Sequence, residues 1–349
     1  GKSLLLVGGN VTIDGGGLTA LGGRVELGGL TGKGRVGLNV DGNNLSLSFP
    51  TGVERSDVAI ANNGSVRVIA DDGGSIAINT RNLEITNESF LFAGIDTGSG
   101  SEQSKAGNID INATGGIKLN DISFIHNYIL PGAKGQGGNI NISTKTLQVE
   151  GIAEISTSTF DEGASGDITI DAQNIQLIGG KEDSSLSGFS LSGLFTTTES
   201  IGNSGNLNIK TNTLLVKDGA QVSASTFGDG ASGDISVEAQ DIQLIGENQN
   251  GLPSGLFITT DSTGDASRLN IKTNTLLVKG GAQVSASTVD AGAGGDITVN
   301  AQDIQLIGER KNGLPSGLFS TTDSTGEAGG LNIKTNNLLV RDGAQVSAS

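Results

Sequence analysis

Cysteine, methionine and tryptophan are absent from this chain of 349 residues, and histidine occurs once. Without cysteine there can be no disulfide staples and no thiolate metal sites, and the redox compartment is left open. The lone histidine, His126, excludes any multi-histidine metal centre and any Ser/His/Asp triad not built on that residue. Proline is limited to 4 residues and aromatics to 3%. No apolar run approaches the roughly 20 residues that a membrane helix needs, so no membrane span is expected. Basic residues number 21 against 37 acidic ones, a net charge of −16. Nucleic acid, whose phosphates need clustered Lys and Arg, is therefore excluded as a partner, and anionic lipid is disfavoured.

Glycine is abundant, at 57 residues, while hydrophobic residues still make up 35%. Those hydrophobics are mainly Ile, Leu and Val alternating with Asn, Ser and Thr, which is strand chemistry punctuated by turns rather than a disordered composition. The chain opens on Gly1 and shows no signal segment, which reads as a mature or trimmed piece of something longer.

The dominant signal is repetition. LNIKTNTLLVKDGAQVSAST at 207–226 returns at 269–288 with one change, Asp218 to Gly280, and begins again at 331. Leu207, Leu269 and Leu331 are spaced by 62 residues, and a second anchor follows by 28, at Ile235 and Ile297. The anchor is a glycine, a polar residue and then apolar-x-apolar: GNIDI at 107–111, GNINI at 138–142, GDITI at 166–170, GNLNI at 205–209, GDISV at 233–237 and GDITV at 295–299. One period thus holds two related units of 28 and 34 residues.

Each unit reads as three short strands, with turns too short for a crossover helix. Alternation places Leu207, Ile209, Leu214, Val216, Ala220, Val222 and Ala224 on the inner side, and Ile235, Val237, Ile242 and Leu244 in the second unit. In GLFITT, Leu256 and Phe257 cannot both point inward. The expected fold is all-β, a right-handed parallel β-helix with three sides (a β-solenoid) and about 11 to 12 coils, making a rod of roughly 55 Å. Residues 1–105 obey the same grammar less regularly and read as irregular N-terminal coils, and residues 106–349 as the regular repeat. In such a rod like residues stack, so the order Asn139, Asp167, Asn206, Asp234 spaces the carboxylates two coils apart.

Several patterns invite chemistry. GKGRVG at 32–37 fits a dinucleotide glycine motif, but strand-like LNVDG follows it where a helix N-terminus is required. GKS at 1–3 leads into strand-like LLLV for the same negative result. Carboxylates gather at the turns: Asp161, Glu162 and Asp167, then Asp229 and Asp234, then Asp290 and Asp296. Paired carboxylates can hydrolyse polysaccharide, but clusters copied in every period point to turn formation and solubility. Weak calcium binding at these six aspartates is the lesser reading, and no cofactor is implied. Leu215, Leu277 and Leu339 should face outward in a stripe interrupted by Gln243 and Gln305, enough for weak lateral contact.

At residues 8–30, GGNVTIDGGGLTALGGRVELGGL, and again in the GNINI and GAQVSAS units, the chain resembles filamentous-haemagglutinin-like exoproteins of two-partner secretion, above all the long cyanobacterial type. The resemblance covers essentially the whole chain. It implies export through an outer-membrane secretion pore and an extended right-handed β-helix that acts in adhesion, with residues 1–105 as the tail end of the secretion domain. The Asn-Pro motif of that domain has no counterpart, since none of Pro50, Pro131, Pro253 or Pro315 follows an Asn.

The expected function is a non-enzymatic, secreted or cell-surface adhesin or matrix filament. Its partners would be cell-surface glycans or other cells, together with end-to-end or lateral self-association, because Ser349 stops inside a repeat. The alternative is a carbohydrate-active β-helix enzyme, a polysaccharide lyase or hydrolase. Its best location would be residues 96–137, around Asp121 and His126.

Overall fold

The computed structural model describes residues 2–42, 44–161, 163–180, 191–199, 201–261, 264–290, 292–322 and 326–349. Among them every regular element is a β-strand, and nearly all strand pairs are parallel. An 11-stranded sheet and an 18-stranded sheet account for most of the chain. The larger sheet has two arms. Ile140–Glu150 pairs through its first half with Ile109–Ala113 and through its second half with Gly116–Asn120. It then pairs along its whole length with Ile168–Ile178. Glu154–Thr159, which follows, joins the smaller sheet between Phe124–Ile129 and Gly193–Thr198. Each passage of the chain therefore lays one segment on the first arm, one on the second arm and one on the smaller sheet. The next passage lays the same three one rung further on.

The register aligns like with like. Leu207 sits between Ile168 and Ile235, and Val222 between Leu194 and Leu256. Leu207, Leu214, Val216, Val222, Ile235, Ile242 and Leu244 are at most 1% exposed, and Ile209 and Val237 at most 3%. The hydrophobic core is continuous from Ile13 to Leu318, and among the described residues its apolar side chains are all aliphatic, with Asn127, Thr157, Thr196 and Ser320 buried beside them on the smaller sheet. At roughly 25 cal/mol per Å2, columns of branched side chains replace the central core that a globular domain would have. The ambiguity in GLFITT resolves simply: Leu256 and Ile258 are fully buried and Phe257 faces out.

Two corners are specified by polar side chains. Between the two arms, the Oγ1 of Thr211 lies 3.0 Å from the Gln173 carbonyl on the preceding rung and 3.1 Å from that of Thr213. Thr144, Thr273 and Thr335 repeat this arrangement. The aligned residue on the intervening rungs is alanine, Thr144 against Ala172 and Thr273 against Ala301. One threonine thus serves the carbonyls of two rungs, which gives a physical reason for the two-unit period.

The corner leading to the smaller sheet needs two consecutive left-handed residues, as at Asp121 and Ile122 (φ 54° and 58°) and at Asp218 and Gly219 (φ 57° and 84°). Asp and Gly tolerate this conformation, so the exchange of Asp218 for Gly280 (φ 66°) leaves the bend intact. Buried Ser254 pins the corner by accepting the Gly219 N–H at 2.9 Å and donating to the Ile245 carbonyl at 2.8 Å. Ser316 does the same for Gly281 and Ile307.

The lesser regularity of residues 1–105 consists of excursions at corners. An antiparallel hairpin, Gly37–Asp41 with Asn44–Ser48, interrupts one rung, yet Arg24–Gly29 and Val58–Ala61 keep their parallel partners on either side of it. Further along, Gly100–Lys105 pairs with Lys134–Gln136 over a small satellite core of Ile95, Ala106, Ile129 and Ala133. The six extra residues of the 34-residue unit fall at the pinned corner, where Glu247 bridges Pro253 and Glu309 bridges Pro315.

Candidate functional site

The anchor residues that sequence reading offers to calcium are engaged in a ladder of their own. Asn139 Oδ1 accepts the Asp167 N–H, Asp167 Oδ1 accepts the Asn206 N–H, and Asn206 Oδ1 accepts the Asp234 N–H, at 2.9, 2.7 and 2.9 Å. The ladder continues from Asp234 to the N–H of Arg268, and Asp296 Oδ1 accepts that of Gly330. Asn and Asp supply the same acceptor, but an aspartate on every rung would stack like charges about 4.8 Å apart. Amides or Arg268 stand between Asp167, Asp234 and Asp296, and Asn206 Nδ2 also donates to Asp167 Oδ1 at 3.1 Å. Asp161 Oδ2 accepts the Gly132 N–H at 2.9 Å. Asp229 and Asp290 lie in the turns after Gln221–Thr226 and Gln283–Thr288, and Glu162 lies outside the described residues. Among the described residues, no three His, Asp or Glu side chains converge in a way that would hold a metal ion.

Asp121 and His126 are not brought together into a reactive pair. Asp121 occupies the left-handed corner, where its carbonyl accepts the Glu88 N–H. His126 is on the strand Phe124–Ile129, and its side chain is 19% exposed. Its ring stacks on Tyr128 (centroids 4.3 Å apart) and on Phe124 (4.9 Å), because residues two apart on a strand share a face. Phe92 meets Tyr128 edge-on at 6.0 Å, Phe160 closes from the next rung at 5.6 Å, and the Arg67 guanidinium lies 5.4 Å from the Phe92 ring. Tyr128 Oη donates to Glu154 Oε1 at 3.0 Å, and His126 Nε2 lies 3.5 Å from the same oxygen. Burial works against ionisation of Glu154, but the contacts with His126, Tyr128 and Ser156 outweigh it and hold the carboxyl below its ordinary pKa of 4.5. Burial, reinforced by the Glu154 charge, pushes the Tyr128 phenol well above 10.0.

This cluster opens a longer surface. Outward positions of the smaller sheet alternate between two rows, Gly-x-Phe-x-Thr at 193–197, 255–259 and 317–321, and Gln-x-Ser-x-Ser at 221–225 and 283–287. Ser223 and Ser285 separate Phe195, Phe257 and Phe319. Phe257 lies back over Gly255, occupying space that a Cβ there would need. From Glu154 to Thr259 this face forms an open groove of about 570 Å3, lined by Phe195, Gln221, Ser223, Ser225, Phe257 and Thr259 among others, and the same outward pattern continues beyond it to Phe319. Phe227 stands at its rim, 52% exposed. Eight of the chain's 10 phenylalanines, its one tyrosine and its one histidine belong to this face or its rim. None of them is in the core, so their conspicuous placement is not explained by folding.

Sequence reading missed this face because the alternation of strands 28 or more residues apart becomes a surface pattern only once the rungs are in register. The available signal was the recurrence of Gly-Leu-Phe at 193, 255 and 317, with Ser in the matching unit. The second arm also differs from its sequence reading. Outward Leu215, Leu277 and Leu339 are separated by Gln243 and Gln305 in their own column. However, Ile178, Ile245 and Ile307 fill the diagonal positions two residues along, so the apolar stripe runs on as a zigzag.

No family model, curated protein or solved structure matches the chain. Among the described residues no helix is long and apolar enough to cross a membrane.

Proposed function

We propose that this chain is a non-enzymatic adhesive rod, secreted or held at a cell surface, whose ladders are the faces of a right-handed, three-sided parallel β-helix. The observation that carries the reading is the outward aromatic face. Residues that elsewhere fill cores are here copied along the outside at a fixed spacing, over a core that is complete without them. Weak contacts repeated along one axis bind by avidity, which suits attachment to a repetitive surface. The resemblance to haemagglutinin-like exoproteins agrees with this reading and adds export through an outer-membrane pore.

The competing reading, a polysaccharide lyase or hydrolase, has less support, and for the hydrolase the carboxylate spacing at the groove argues against it. Among the described residues the two carboxylates bordering the groove are Glu154 and Glu199. Glu199 aligns with Phe160, because its N–H donates to the Thr159 carbonyl. Six residues of strand, about 20 Å, therefore separate the pair along the strand, against roughly 5 to 9.5 Å for glycosidase carboxylates.

Beads coated with the purified chain should adhere to cells or to extracellular matrix. Adhesion should depend on coating density, as avidity requires. Beads that bind no better than uncoated ones would sink the adhesive reading, and release of reducing sugar or unsaturated product from a polysaccharide would replace it with the enzymatic one.

A further inference from the structure

We propose that the groove on the smaller sheet binds a neutral, extended β-1,4-linked glycan lying along the rod axis, one disaccharide for every two rungs. The inference rests on the adhesive reading above and names its ligand.

Three observations converge. The first is spacing. Phe195, Phe257 and Phe319 occupy equivalent positions two rungs apart, which sets them about 9.6 Å from one another. That is close to the repeat of a β-1,4-linked chain, in which alternate sugars turn the same face to one side. An aromatic ring every second rung can therefore meet the apolar face of every second sugar, while the sugars between pass over small Ser223 and Ser285. The second is polarity. A row of hydroxyls, Thr197, Ser225, Thr259, Ser287 and Thr321, runs beside the rings with no interruption. Hydroxyls both donate and accept, which suits sugar hydroxyl groups. The third is charge. From Gly193 to Ser347 the outward positions of these strands carry no lysine or arginine. Among the described residues the groove's charged neighbours are Glu154 and Glu199, and the whole chain carries −16, which turns away acidic polysaccharides.

A peptide strand fits this face less well. Its backbone would seek an open sheet edge, whereas here every strand from Phe124–Ile129 to Gly317–Thr322 is paired on both sides.

The test is calorimetric titration of the full chain with soluble neutral β-1,4-gluco-oligosaccharides of two, four and six sugars. Affinity should rise with each added disaccharide. Phe257→Ala should weaken binding of the six-sugar chain about tenfold, Phe257→Tyr should restore it, and Leu339→Ser on the opposite sheet should leave it unchanged. Circular dichroism of each outward-facing variant should match that of the parent. The proposal is overturned by binding that ignores chain length, by Phe257→Ala binding like the parent, by tighter binding of an acidic glycan, or by Phe257→Ala abolishing self-association instead. If beads adhere to cells and no oligosaccharide binds, the glycan proposal fails and the adhesive reading stands. Oligosaccharide binding without adhesion separates the two in the opposite direction.

Discussion

Ser254 is a buried hydroxyl whose neighbours leave it no freedom: it accepts one backbone N–H and donates to one carbonyl across the same corner. Ser254→Ala would leave the Gly219 N–H unpaired and the Ile245 carbonyl with only the Asp218 N–H, at a cost of about 1 to 3 kcal/mol. Chemical denaturation should show that loss, and an unchanged midpoint would mean that water or backbone movement repairs the corner. Glu154 gives a pH signature with a definite sign. Its folded pKa lies below the ordinary 4.5, so its contribution is complete above that value and is lost as the pH falls through the folded pKa. Thermal melts should show parent and Glu154→Gln diverging above pH 4.5 and converging in acid. Tyr128 has the opposite sense, because its phenol titrates higher folded than unfolded. Its contribution holds below 10.0 and disappears as the pH rises beyond it. As the only tyrosine, it reports directly: its ultraviolet ionisation should be delayed past 10.0 in the native chain and return to normal in denaturant.

At the scale of the strand, inward and outward positions respond to different rules. Leu244 is fully buried in a column of aligned aliphatic side chains, so Leu244→Ala should cost about 2 to 5 kcal/mol. Phe257, on an outward column of the smaller sheet, should cost far less when shortened, and a denaturation midpoint shifted equally by both variants would contradict the assignment of faces. Gly255 is different again. A Cβ there would collide with the Gln283 carbonyl and with Phe257, so Gly255→Ala should wedge two rungs apart and destabilise the chain by about 1 to 3 kcal/mol, read by the same denaturation.

The aliphatic alternation of 207–226 was legible in sequence because a strand's period of two depends only on its own backbone. The left-handed corner was also legible, since Asp218 and Gly280 are exchanged there and both residue types suit it. The role of Thr211 was not, because the carbonyls that hold it belong to residues on two different rungs. The burial of His126 was hidden for a similar reason, since Phe92 and Glu154 reach it only through the stacking of rungs.

At the scale of the whole molecule, the two-unit period has energetic content. Deleting residues 206–267, one full period, should give a shorter chain of similar stability, because the Thr and Phe columns keep their alternation and Arg268 takes the place of Asn206 above Asp167. Deleting residues 206–233, a single unit, should do worse. It would stack Asp234 on Asp167, align Ala239 with Ala172 so that no threonine bridges them, and crowd Phe257 against Phe195. Comparison of the two melts decides the matter, and equal transition temperatures would show that the period is inheritance without physical consequence. The sequence by itself determined the all-β composition, the rung length and the inward residues, because each follows from local alternation and from turn residues within a few positions of one another. Only the tertiary structure decided which outward residues become neighbours. That depends on register between strands 28 or more residues apart, and register converts scattered phenylalanines and serines into one continuous face.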